Sequence, residues 1–233
     1  MKILISGASG FIGGHLYTYL DELGYEVDQI GKNEFMHEDF GILNRFKPDV
    51  VVHCAWIRNK DLQITDHLEF AELSCHFFDE CRKAGIRVIN IGSSSEYGPK
   101  LKPMKEDMTC EPVSTYGIAK LMVTLYAKKL GFNTLRLFTV YGKGGTWDLN
   151  NLLTKTISKE PQRHFVSVYE VCGAIERLMH AHHLYGEVIN VASRENPTAN
   201  YFMKDGCVFG TYPQRQYEPA MWEADLTKYE ELL

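Results

Sequence analysis

Met1–Tyr17 reads MKILISGASGFIGGHLY, and this stretch decides the fold. Lys2-Ile3-Leu4-Ile5 is a short apolar run that ends near a glycine, as a buried parallel strand does. Gly7, Gly10 and Gly13 follow at three-residue spacing, and Phe11, Ile12, Leu16 and Leu20 then recur at helical spacing. The order is strand, glycine turn, helix. Gly7 permits the tight turn. Gly10 lets backbone N–H groups approach a pyrophosphate whose charge a helix N-terminus favours, and Gly13 lets the helix pack close to the strand. An ordinary strand-to-helix turn is the competing reading, but the placement of the triplet between an N-terminal strand and an amphipathic helix favours the dinucleotide motif.

The remaining composition sets bounds. The chain has 233 residues, 45% hydrophobic and 24% charged, with a formal net charge of −5. These values fit a globular protein with one sizeable core, with or without a small added lobe. There is no basic stripe for nucleic acid, no acidic tail, and no apolar run long enough to span a bilayer. Because Met1 opens directly on a strand, no signal or transit peptide is expected and a cytoplasmic location is read. Cys54, Cys75, Cys81, Cys110, Cys172 and Cys207 show no CxxC spacing. They read as reduced thiols, mostly core filler, and no metal site is expected from them.

Strands are expected at 25–30, 48–55, 86–91, 134–140 and 187–191, with helices at 62–84, 115–130, 168–180 and 225–233. Between them lie a loop with a short helix at 35–46 and a short helix at 150–158, while 196–217 is irregular. Gly85 and Gly131 stand where C-terminal helix glycines belong. The alternation of strand and helix predicts an α/β fold with a doubly wound parallel sheet.

The chemistry concentrates at Tyr116 and Lys120, four residues apart on one helix face. An ammonium beside a phenol favours the phenolate and lowers its pKa from near 10. Such a pair can exchange a proton with an alcohol/ketone couple. The pattern alone is common, and a surface pair without a role is its plain alternative. Ser93, Ser94 and Ser95 end a parallel strand, however, at the edge where such sheets bind ligands.

These motifs together resemble the extended short-chain dehydrogenase/reductase family, the nucleotide-sugar epimerase, dehydratase and reductase group. The resemblance rests on Gly7-x-x-Gly10-x-x-Gly13, Asp49-Val-Val-Val-His-Cys-Ala55, Ser93-Ser-Ser-Glu-Tyr-Gly98, Tyr116-x-x-x-Lys120, Arg136-Leu-Phe-Thr-Val-Tyr-Gly142, Arg163-His-Phe-Val-Ser-Val168 and Gly186-Glu-Val-Ile-Asn-Val191. They keep the family's order and cover most of residues 1–192. His53-Cys-Ala-Trp56 and Ser94-Ser-Glu-Tyr-Gly98 are similar to the branch that reduces 4-keto-6-deoxy nucleotide sugars.

The resemblance implies a Rossmann-like domain over 1–142, to which 164–192 returns, and a small, reduced C-terminal substrate lobe formed by 143–163 and 193–233. It implies Tyr116 as acid/base, Lys120 as holder of the nicotinamide ribose and tuner of Tyr116, and Ser94, or its neighbour Ser93, as partner of the substrate oxygen. Gly7, Ser9, Gly10, Phe11, Ile12, Gly13, Cys54, Ala55, Trp56, Phe138 and Val140 would line the cofactor. Asp39 would contact the adenine, with a helix N-cap as its alternative role. Ser95, Glu96, Thr139 and Arg163 would face the substrate, the guanidinium of Arg163 suiting a diphosphate. Thr139 stands where the family usually carries Asn, and both lobe segments are short. NADP(H) is expected over NAD(H), since Gly31-Lys32-Asn33 offers a base and no acid at the end of the second strand.

The leading expectation is NADPH-dependent reduction of the C4 ketone of a nucleotide-linked 4-keto-6-deoxy sugar. The alternatives are a 4-epimerase or 4,6-dehydratase that recycles its cofactor, and a catalytically silent NADP-binding regulatory protein. Glu96, abutting Tyr97-Gly98, is expected to turn toward backbone N–H groups of its loop, which favours the reductase. A homodimer through helices 62–84 and 115–130 is expected from the apolar residues Phe70, Phe77, Leu121 and Leu125. His180, His182 and His183 read as cations at a helix C-terminus. Trp147, Tyr201, Phe202, Phe209, Tyr212 and Trp222 read as lobe core or as base-stacking rings.

Overall fold

Strand β1 (Lys2–Ser6) is buried on both faces, so its side chains alternate between two cores. Ile3 and Ile5 point to one, Leu4 to the other. The computed structural model describes residues 1–57, 64–145, 162–195 and 221–233. Around β1 run β2 (Glu26–Ile30), β3 (Val50–His53), β4 (Arg87–Ser93), β5 (Asn133–Leu137) and β9 (Val188–Val191). They form one six-stranded parallel sheet in the order β2-β1-β3-β4-β5-β9. The order reverses at β1, which has β2 on one side and β3 on the other. The carboxyl ends of β1 and β3 therefore frame the crevice where open α/β sheets take their ligands.

Helices cover both faces. On one lie α1 (Phe11–Glu22) and α6 (Val168–His180), with Leu16, Leu20, Val171, Ile175 and Met179 against Ile3, Ile5, Val52 and Ile89. On the other lie the short α2 (Lys32–Met36) and α3 (Ile42–Phe46), then α4 (Ile64–Lys83) and α5 (Thr115–Lys129). There Phe35, Phe40, Phe70, Phe77 and Phe78 pack with Leu4, Val51, Val88 and Val123. No helix among the described residues is long and apolar enough to cross a membrane.

Three expectations need correction. The strand read at 134–140 breaks at Phe138. The Phe138 amide bonds the Val191 carbonyl, the Thr139 amide bonds the His164 carbonyl, and the chain leaves the main sheet so that β6 (Thr139–Tyr141) pairs with β8 (Phe165–Ser167). Residues 35–46 hold parts of two helices rather than one, since Lys32–Met36 is also helical, with the Glu34 carboxylate accepting from the Gly31 amide at its start. Phe70 and Phe77 belong to the core, not to an outer face. The short helix expected at 150–158 and the irregular 196–217 lie outside the described residues, as do Trp147, Tyr201, Phe202, Phe209, Tyr212 and Cys207. Trp222 packs beside a third small core of Tyr97, Met104, Phe138, Ala192 and Ala224. The last strands, β7 (Gln162–Arg163) and β10 (Met221–Trp222), pair with one another, and α7 (Thr227–Leu232) closes the chain.

Candidate active site

The glycine turn is held by close approach. Gly7 has φ +77°, and a Cβ there would stand 2.6 Å from the Ala55 Cα; one on Gly13 would overlap the Gly7 carbonyl oxygen. Helix α1 can reach this position only because both lack side chains. Its N-terminus carries no side-chain cap and no acidic residue in the first turn, so its amides are directed at the crevice without a protein anion to satisfy them. A cavity of about 990 Å³ opens there. Gly7, Ser9, Gly10, Phe11, Lys32, Cys54, Ala55 and Trp56 all line it, as do Ile30, Phe35 and Met36 from the β2 edge. This cradle fits a dinucleotide, with bare amides for the diphosphate and an apolar wall near Lys32 for the adenosine.

Other expected cofactor residues fall elsewhere. Ile12 and Val140 pack against the main core, and Phe138 is buried in the third one. Asp39 lines a separate polar cleft with His76, Asp79 and Lys83. Its carboxylate accepts from the Gly41 amide at 3.2 Å, shaping the turn into α3. It lines a different cleft from the glycine-turn cavity, and the cap position of α3 is Gly41.

The serine run at the end of β4 curls into one 3-10 turn, Ser94–Glu96. Ser93 caps it, its hydroxyl accepting from the Ser95 amide at 3.2 Å. The Ser93 side chain also lies close enough to the Tyr116 phenol to favour its ionisation. Of the two candidate serines, the geometry brings Ser93 to the tyrosine; Ser94 and Ser95 are half-buried neighbours on the turn.

Burial pushes the Tyr116 phenol up to about 12, the charge of Glu96 adding to the rise and the Ser93 side chain opposing it. The expected lowering by Lys120 is not seen. Lys120 donates to the Ile91 carbonyl at 2.8 Å, and its ammonium lies 4.0 Å from the centroid of the Trp56 ring. It is Trp56, nearly perpendicular at 5.9 Å between ring centroids, that faces Tyr116. Burial in turn pulls the Lys120 ammonium down to about 8, against the pull of Glu96 and Cys54.

Glu96, expected among the substrate contacts, lies beneath the turn and is fully buried. One carboxylate oxygen accepts from the Ser93 amide at 2.8 Å and from the Thr124 hydroxyl at 3.0 Å. The other accepts from Arg136 Nε at 2.7 Å. The guanidinium stacks over Tyr97, whose hydroxyl donates to Asn190. Glu96 therefore supports the loop and cannot reach a ligand. Thr139 and Arg163 are half-buried, on β6 and β7.

The sequence profile of the NAD dependent epimerase/dehydratase family matches residues 3–192, the stretch that builds this crevice and the serine, tyrosine and lysine around it. The chain belongs to this family.

Within it, the chain is 27% identical to the uncharacterized UDP-glucose epimerase YtcB of Bacillus subtilis (strain 168), over 84% of this chain and 78% of that one. It is 28% identical to a GDP-6-deoxy-D-talose 4-dehydrogenase of Aggregatibacter actinomycetemcomitans, over 83% of this chain and 74% of the other. Among solved structures, MoeE5 in complex with UDP-glucose and NAD superposes with a TM-score of 0.83 at 22% identity, covering 100% of this chain and 92% of that one, a likeness of fold.

Two parts of this family member's site were not anticipated. His67 on α4 stacks on Trp56 and lies 5.9 Å from the Tyr116 ring. Its only sequence signal is its position three residues before Phe70, on the face that packs inward. Lys143, Gly144 and Tyr169 line the mouth of the cavity, where His15 Nε2 bonds the Lys143 carbonyl at 2.9 Å. Two of the three histidines at the end of α6 take separate partners among the described residues. His180 bonds the Tyr25 hydroxyl and faces Glu176, and His182 meets Arg87.

The burial of Glu96 yields a test. Glu96→Gln strands the Arg136 guanidinium, and breaking a buried pair costs about 3 kcal/mol of stability. Urea unfolding should show that loss, with dinucleotide affinity retained in the folded fraction. Unchanged stability with lost activity would return Glu96 to the chemistry.

Proposed function

We propose that this protein is a reductase of nucleotide-linked 4-keto-6-deoxy sugars that uses NADP(H). The observation that carries the reading is the Ser93–Tyr116 pair, with the phenol protonated across the neutral range and the nearby acid locked beneath it. A ketone reductase starts from a protonated donor, whereas alcohol oxidation starts from a deprotonated one. A dehydratase needs a free carboxylate near the sugar, and Glu96 is tied to Arg136. The similarity to a 4-dehydrogenase of a GDP-6-deoxy sugar supports the same chemistry.

In this reading Ser93 and Tyr116 hold the C4 carbonyl oxygen by two hydrogen bonds, and Tyr116 delivers the proton as the oxygen gains charge. The dinucleotide, when bound, supplies the hydride that C4 receives. Gly10 and the first amides of α1 hold its diphosphate, and Lys120 the ribose near the reacting carbon. Residues from 143–163 and 193–233 take the sugar nucleotide, with Arg163 toward its diphosphate. The names of the epimerase relatives favour a second reading, a 4-epimerase that recycles its cofactor.

The protein is incubated with NADPH and a panel of nucleotide 4-keto-6-deoxy sugars, and absorbance loss is followed. Stoichiometric NADPH consumption is expected. Tyr116→Phe should lower turnover by at least ~100-fold, with dinucleotide binding nearly intact. Alcohol oxidation should accelerate by about tenfold per pH unit above neutrality, because the phenolate grows toward the phenol's pKa of about 12. Inversion at C4 or loss of water from a 6-hydroxylated nucleotide sugar, without added cofactor, defeats the reductase reading.

The β2 edge supports NADP(H) as the cofactor in this reading. Ile30, Lys32, Phe35 and Met36 line the cavity there, none of them acidic, while the Asp28 carboxylate accepts from the Gln29 amide within the strand. Lys32→Ala should weaken NADPH and leave NADH unchanged by calorimetry; equal or tighter binding of NADH by the unmodified protein overturns the assignment.

A homodimer is proposed through α4 and α5. Their outer faces expose Leu68, Ile118, Met122 and Leu125, with Leu121 half-buried beside them. Light scattering at micromolar concentration should give twice the chain mass, and Leu125→Glu should give the monomer.

A further inference from the structure

Trp56 lines the cavity and lies between its wall and Lys120. Its indole covers the ammonium at 4.0 Å, meets Phe70 at 5.3 Å between centroids, and stacks on His67 at 6.2 Å with 20° between the planes. Lys120 is 4% exposed, with the Ile91 carbonyl as its hydrogen-bond acceptor. The arrangement leaves a stranded polar atom on each of two stacked rings. The Trp56 indole nitrogen and His67 Nδ1 are buried and without hydrogen-bond partners. Buried polar groups are nearly always paired, so an orphaned indole N–H and an orphaned imidazole nitrogen on two stacked rings mark a packing that a polar ligand would relieve. The ring also touches two groups whose spacing on α5 suits joint action, standing over Lys120 and against Tyr116.

We propose that Trp56 is a displaceable plug of the nicotinamide-ribose end of the cavity. A full dinucleotide moves the indole off Lys120, and a ligand with only the adenosine half leaves it in place. The adenosine end is lined by Ile30, Lys32, Phe35 and Met36, which make no contact with the ammonium, so half of the cavity fills without disturbing the plug. Displacement releases the two orphaned nitrogens to ligand and solvent and frees Lys120 to face the ribose and Tyr116. The contact given up is the cation–π pair. The proposal rests on the dinucleotide reading above.

The test compares NADP⁺ with adenosine 2′,5′-bisphosphate by calorimetry on the full chain. Trp56→Ala should bind NADP⁺ tighter by ~3- to 30-fold, the range a lost cation–π contact spans, and bind the bisphosphate as the unmodified protein does. Trp56→Phe keeps a ring over the ammonium and serves if the alanine variant does not fold. In the unmodified protein, tryptophan emission should change on saturation with NADP⁺ and not with the bisphosphate. The Phe variant, which retains Trp147 and Trp222, should lose that change. Weaker NADP⁺ binding by Trp56→Ala, or an emission change that survives in Trp56→Phe, overturns the plug while bisphosphate binding upholds the dinucleotide site. Binding of neither ligand overturns both.

Discussion

A carboxylate buried beside a guanidinium is stable only if its oxygens are hydrogen-bonded, and Glu96, paired with Arg136, imposes that condition on the active-site loop. Glu96 satisfies it with Arg136, Thr124 and the Ser93 amide. Those three partners lie on β5, on α5 and at the end of β4. The pair therefore ties together the strand that delivers the serines, the helix that delivers Tyr116 and Lys120, and the neighbouring strand. Arg136 carries the tie onward by stacking on Tyr97, which bonds Asn190 of β9. Asn190 in turn donates to the Met104 and Asp225 carbonyls, reaching the C-terminal segment.

This network explains why Ser93 rather than Ser94 meets Tyr116. The Ser93 amide is held by Glu96 and its hydroxyl caps the 3-10 turn, which fixes the residue beside the Tyr116 phenol. It also sets the electrostatics. The buried carboxylate adds to the rise of the Tyr116 pKa and opposes the fall of that of Lys120. The phenol stays protonated while the ammonium approaches its neutral form, a pairing suited to giving a proton rather than taking one.

The aromatic core on the α4 side serves the site as well as the fold. Phe35, Phe77 and Phe78 surround His53, whose imidazole joins the Ser6 and Ser74 hydroxyls across β1, β3 and α4. Burial pulls His53 down to about 3, so it is a neutral hydrogen-bonding spacer at physiological pH. Ser6 and His53 immediately precede the glycine turn and Cys54, and their bond keeps the two strand ends in register at the crevice.

The sequence by itself determined the alternation of elements, the parallel sheet, the glycine cradle and the Tyr116–Lys120 face. Each of these rests on local rules: apolar runs for doubly buried strands, glycine where backbone meets backbone, and a four-residue spacing on a helix. Tertiary structure alone decided the rest. The break at Phe138 depends on amides that find partners on β9 and before β8, far away in the chain. The burial of Glu96 depends on Arg136, 40 residues on. Asp39 went to its own turn because α2 and α3 lead it away from the cavity. Trp56 stands over Lys120, and His67 beside Tyr116, because a strand end and two helices converge there. Contacts between residues distant in sequence carry no periodicity, so only packing in three dimensions could assign them.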